Sequence, residues 1–277
     1  MTYSVPSALK LSKFFLSIHR DSLEHWNAHA QLERLRGRLD EARKIYHTIL
    51  IAARLGNTRP GESQLWWNWA EMEWLDGLDE QALNVILSSV GMETPGTSIT
   101  ILRTKRSLND MIASTKLSQW KEHEAWIKLR ALLDLLTSQD PTAALAIFDE
   151  ALEKEPCSSE SLITAALVLL YFHGMILKRP TPPSILRERA GTAVEVYPSN
   201  SIILGIFLEA EKGQGIWGRV RTTLGSSDGR IKDVARRAEE VWMAGWQQGR
   251  WESEVERTRN GLAASVEHER YDFSSLH

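Results

Sequence analysis

The chain of 277 residues holds one cysteine, Cys157, so no disulfide can form within it, and no Asn-x-Ser/Thr acceptor occurs. Both absences point to a reducing compartment. Neither sign of charge dominates: 33 Lys and Arg stand against 36 Asp and Glu, a net charge of −3 that gives no general attraction for a phosphate backbone. Strong direct nucleic-acid binding is therefore not expected. Near the N-terminus Phe14, Phe15, Leu16 and Ile18 lie too close to Lys10, Lys13 and Arg20 to form an apolar run of signal-peptide or membrane-spanning length. No membrane partner is expected. The eight histidines make no H-E-x-x-H and have no second cysteine beside them, so neither a metal nor a cofactor is expected. Alternating strand patterns are also missing.

What is present is a repeat. Trp26, Ala30, Glu33, Gly37, Ala42, Ile45 and Leu50 recur 40 positions later as Trp66, Ala70, Glu73, Gly77, Ala82, Val85 and Val90, with no gap. A period of this length marks stacked supersecondary units, none of which can bury its apolar face alone. With 43% hydrophobic and 25% charged residues the chain has the composition of an ordered protein, and its 11 tryptophans fall partly at equivalent repeat positions. The expected fold is all-α, a right-handed α-solenoid of about six antiparallel helix pairs. Residues 1–277 are expected to form one repeat domain, clearest at 21–55 and 61–91, with a bend at 178–183 and a closing cap over 226–277.

In the first copy Asp21 and Glu24 have capping-box spacing, Leu23, Trp26, Ala30 and Glu33 line one helical face, and Gly37 ends the helix. Asp40 is placed to cap the second helix, whose stripe is Ala42, Ile45, Tyr46, Ile49 and Ala53. The second copy predicts helices over 62–76 and 79–91. Helical periodicity continues from Ile99 to Ile112 and from Trp120 to Leu136, and a third unit follows in which Asp140 caps and Pro141 opens the helix. An apolar helix from Leu162 to Phe172 is expected inside the stack, ending at Gly174. Beyond Pro180, Pro182 and Pro183, further helices are expected near 184–197, 200–212 and 215–225, with two more before residue 268.

Trp26 and Trp66 share a face with small and apolar neighbours, which assigns them to packing. Glu33 and Glu73 lie on the same side, where a carboxylate must be paired; a tryptophan or tyrosine donor, or an arginine of a neighbouring unit, would serve. The alternative, a catalytic pair, conflicts with their placement in successive layers. Gly213, Gly215 and Gly218 spell G-x-G-x-x-G but follow a helical pattern rather than a strand, so a helix-helix turn is expected, not a nucleotide site. Cys157 follows Pro156 in a turn and reads as incidental. Arg103, Lys105 and Arg106 form a basic cluster that could touch RNA or an import receptor, with a solvated helix face as the commoner reading. Trp242, Trp246 and Trp251 are candidates for partner binding, or for the cap that closes the stack.

The run Trp26, His29, Ala30, Glu33, Gly37, Ala42, Arg43, Ile45 and Tyr46 resembles the half-a-TPR repeats of RNA-processing proteins. More narrowly, Leu65–Gly77, Ile101–Asp110, Tyr171–Gly174 and Pro182–Asn200 resemble the C-terminal part of the nuclear RNAi-defective-2 family. That resemblance implies a non-enzymatic nuclear scaffold in RNA surveillance, RNA-directed silencing and splicing control. Its implied partners are splicing factors and an exosome-linked RNA helicase, with the helicase-binding segment expected outside this chain. A repeat scaffold of spliceosome or ribosome assembly is the alternative, and an all-helical enzyme a remote one. Leu83, where the first unit has Arg43, departs from the pattern.

Overall fold

The computed structural model describes residues 5–52, 59–92, 97–115, 119–154 and 159–212. Among them the protein is all-α, with eleven helices and no strand. In chain order these are α1 (Val5–Ile18), α2 (Leu23–Leu35), α3 (Leu39–His47), α4 (Glu62–Leu75), α5 (Asp79–Ser89), α6 (Ser98–Ser114), α7 (Trp120–Ser138), α8 (Pro141–Lys154), α9 (Ser159–Tyr171), α10 (Pro183–Val196) and α11 (Ser201–Lys212). Single π-helical turns extend α3 over Thr48–Ala52 and α9 over Phe172–Ile176. Contacts divide the chain into two compact units, 1–181 and 182–277, and the division falls within the proline segment singled out in the sequence.

In the first unit α2 packs on α3, α4 on α5 and α7 on α8, while the leading helices are linked in series, α2 to α4 and α4 to α7. α6 stands outside that series. It packs on α7 and touches α5, which explains why the 40-residue register is lost after Pro95 while helical spacing persists. α4 occupies the centre of the unit: Leu65, Trp66, Trp67, Trp69, Ala70, Met72 and Trp74 are all buried, so it is apolar around most of its circumference. α9 packs on α8 and α7 and buries Leu162, Ala166, Leu167, Leu169 and Leu170. Together with its π-turn it is the one described helix long and apolar enough to cross a membrane, and 39% of that window is buried in the protein. In the second unit α10 and α11 pack together, with Gly191 close to the Phe207 ring.

The two copies turn in the same way. Gly37 (φ 79°) and Gly77 (φ 82°) take the left-handed conformation that side chains disfavour. After each glycine the backbone closes a six-residue loop, Arg38 N–H to Glu33 C=O (3.0 Å) and Leu78 N–H to Glu73 C=O (2.9 Å), satisfying carbonyls the helix end would leave open. Helix starts differ from expectation in two places. Ser22, not Asp21, caps α2, its hydroxyl accepting from His25 N–H (3.4 Å). Asp40 is not a cap: α3 begins at Leu39 with no side-chain cap, and Asp40 sits in the first turn, where its charge faces the positive end of the helix dipole. Asp140 does cap α8, accepting from Thr142 N–H at 2.9 Å.

Candidate functional site

The site is built where the two copies meet. α4 sends Trp69 and Glu73, one turn apart, toward α3. Trp69 Nε1 donates to Glu73 Oε1 (2.9 Å), and the Arg43 guanidinium of the preceding pair donates to the same carboxylate through Nε (2.9 and 3.0 Å) and Nη2 (2.9 Å). Arg43 also reaches Asp76 (2.7 Å) and Asp40 (3.0 Å). Glu73 is only 1% exposed, and this encirclement keeps its charge tolerable in the interior. The Glu73 hydrogen bonds, ahead of those from Asp76 and Asp40, hold the Arg43 guanidinium above its ordinary pKa.

An aromatic column runs beside the clamp. Tyr46 of α3 stacks on Trp69 (6.1 Å between centroids, 14°), which stacks on Trp66 (5.9 Å, 14°), and His47 meets Trp69 edge-on (6.5 Å). Tyr46 is fully buried; burial raises its phenol well above the ordinary value, with the Gln31 amide (2.9 Å) opposing. Asn68 and Asn27 join α4 to α2 (2.9 Å), as do Arg34 and Glu71 (2.9 Å).

Above this floor lies a groove of about 520 Å³. α3 and its π-turn supply one wall through Lys44, His47, Thr48 and Ile51; α5 supplies the other through Gln81, Asn84 and Ser88, with Val85, Trp69 and the Arg43–Glu73 pair beneath. Each wall is one helical ridge at three- and four-residue spacings. Gln81 and Asn84 are exposed, and an amide side chain offers a donor and an acceptor side by side, the same pair that a peptide backbone presents. The indole below offers an apolar anchoring surface. Both Glu73 oxygens are engaged, Oε1 by Trp69 and Arg43 and Oε2 by Arg43.

The structure treats the sequence-derived candidates unequally. Trp66 is fully buried and its Nε1 donates to Glu62 (3.2 Å). Trp26 is only half-buried, contrary to expectation: its indole lies at the edge of α2, where Nε1 donates to the Arg20 carbonyl (2.7 Å). Glu73 finds both kinds of expected donor. Glu33 finds neither: its buried Oε2 has no hydrogen-bond partner, and the nearest cation is Arg38 Nη1 at 4.0 Å. Subtracting the repeat length from Arg43 reaches Tyr3, so the sequence has no corresponding arginine for the first copy. Gln139, not a glycine, is left-handed at the end of α7.

The basic cluster does not act as one. Lys105 pairs with Asp134, which also takes Arg130, and thereby ties α6 to α7; Arg103 and Arg106 remain exposed. Among the described residues no group of histidines, cysteines and carboxylates is arranged to hold a metal. Trp242, Trp246 and Trp251, the cap over 226–277, the glycines at 213, 215 and 218, the helices expected beyond 212, and Cys157 lie outside the described residues. The groove itself escaped the sequence reading, although the polar ridges at 44, 47, 48 and at 81, 84, 88 were its signal.

No family model, curated protein or solved structure matches this chain.

Proposed function

We propose that this chain is a non-enzymatic protein-interaction scaffold of nuclear RNA metabolism, in which α2/α3, α4/α5 and α7/α8 are successive units of a right-handed, half-a-TPR-like solenoid. The observation that carries the scaffold reading is the groove, whose amide-bearing α5 wall beside an indole floor suits an extended peptide segment. The serial packing of α2, α4 and α7 supports the solenoid. The nuclear and RNA-related part rests on the four segments that resemble the nuclear RNAi-defective-2 family, with splicing factors and an exosome-linked helicase complex as the partners implied.

The test is localisation together with quantitative mass spectrometry of proteins co-purifying with the tagged, intact protein. Nuclear residence with splicing or RNA-surveillance factors enriched is the outcome expected. Enrichment of ribosome-assembly factors in their place would move the protein to the alternative scaffold class. Exclusive cytoplasmic residence without RNA-processing partners would end the reading.

A further inference from the structure

α1 presents an apolar surface that the groove does not involve. Its inner face packs on α2 through buried Leu9 and Leu16, yet its outer face carries Leu11, Phe14 and Ile18, 52%, 58% and 56% exposed, at i, i+3 and i+7. Phe15 adds a fourth large hydrophobic on one edge, where its ring lies 5.7 Å from that of His25. Solvated helices keep such stripes toward a core; a stripe of about 10 Å left in water matches two turns of a second helix. Lys10, four residues before Phe14 and exposed, lines the opposite edge; Lys13, also exposed, lies further round on the same side, toward α2, and no acidic residue occurs from Met1 to Arg20. α1 is thus locally cationic on a chain whose net charge is −3.

We infer that the outer face of α1 docks an acidic amphipathic helix of a protein partner, which lays aliphatic side chains along Leu11, Phe14 and Ile18 and carboxylates along Lys10, with Lys13 behind it. The charge pattern selects this occupant. A second copy of α1 brings no carboxylate to answer the lysines, so self-pairing places like charges around the apolar stripe. An anionic bilayer is met best by cations flanking an apolar stripe on both sides, whereas here one edge holds lysines and the other Phe15 against His25. A helix lying alongside, with its anchors at i, i+3 or i+4, and i+7 and its acidic residues to one side, satisfies both features.

The probe is a fluorescein-labelled helical peptide of about four turns, with leucines at that spacing and glutamates along one edge, titrated by anisotropy with the full chain. Binding that Phe14→Ser weakens about tenfold or more is expected, as is a switch of preference toward the same peptide bearing lysines for glutamates when Lys10→Glu and Lys13→Glu are combined. Circular dichroism accompanies each variant; should Phe14→Ser lose helix, the surface charge reversal decides alone. Equal binding by wild type and charge-reversed protein, or no binding, overturns the inference. So do two other results: dimerisation that Phe14→Ser abolishes, which assigns the face to a second copy, and capture by phosphatidylserine vesicles without peptide binding, which assigns it to a membrane.

Discussion

Arg43 and Glu73 stand 30 residues apart, on α3 and α4, and share three hydrogen bonds that join the first helix pair to the second. Among the described residues only the second copy has this clamp. In the first, Glu33 is equally enclosed by helix but has Arg38 at 4.0 Å in place of a fork, so the two equivalent carboxylates hold unequal positions in one fold.

That inequality should appear in stability. Arg43→Leu strands a buried carboxylate and is expected to cost about 3 kcal/mol, whereas Arg43→Leu combined with Glu73→Met, which removes both charges, should recover most of the loss. Glu33→Gln should change stability by about 1 kcal/mol or less, because little pairing is lost. Urea midpoints measured for the four proteins decide it: equal losses for Arg43→Leu and Glu33→Gln would mean that the clamp does not join the pairs.

The tryptophans should also separate. Trp66→Ala removes a fully buried ring hydrogen-bonded to Glu62 and should cost about 3 to 5 kcal/mol. Trp26→Ala, at a half-buried position, should cost about 1 to 2 kcal/mol. Thermal melts of both variants test the ranking; a larger loss at Trp26 would contradict it.

Much of this architecture could be read from residue spacing. The 40-residue register locates α2 to α5, the turns at Gly37 and Gly77, and the need of Glu73 for a tryptophan, tyrosine or neighbouring arginine donor, because each depends on local periodicity or on one buried charge. Spacing did not reveal α1, which lies outside the register and carries large apolar residues on both faces. The choice of Ser22 over Asp21 turned on cap geometry within one residue, and the groove arises only when α3 and α5, distant in sequence, are set side by side.

Acid should act through buried histidines. His29 lies below its ordinary 6.5 because burial penalises the imidazolium, opposed by Glu33 and assisted by Lys13. His173, bonded to Thr181 (2.9 Å) and stacked on Trp74, is lowered by burial and by Arg179, with Asp79 opposing. Folding therefore excludes protons that the unfolded chain takes up. The stability contribution is present in full above pH 6.5 and is lost as pH falls through the depressed folded values. The variant His29→Gln, His173→Gln is expected to flatten the decline below pH 6.5 in denaturation series. An unchanged slope would show that other groups govern it.

Purified protein should bind single-stranded RNA weakly at physiological salt, since Lys105 is committed to Asp134 and two exposed arginines neutralise few phosphates. Gel shifts test this. Submicromolar binding lost on changing Arg103, Lys105 and Arg106 would establish a direct RNA-reading surface instead.

The most direct test of the scaffold is quantitative affinity purification of wild type beside Asn84→Arg, a change on an exposed groove wall that leaves the Arg43–Glu73 clamp untouched. With folding verified by an unchanged melt, the account predicts that a defined set of RNA-processing proteins is lost from the variant. Retention of every partner at wild-type levels would contradict it.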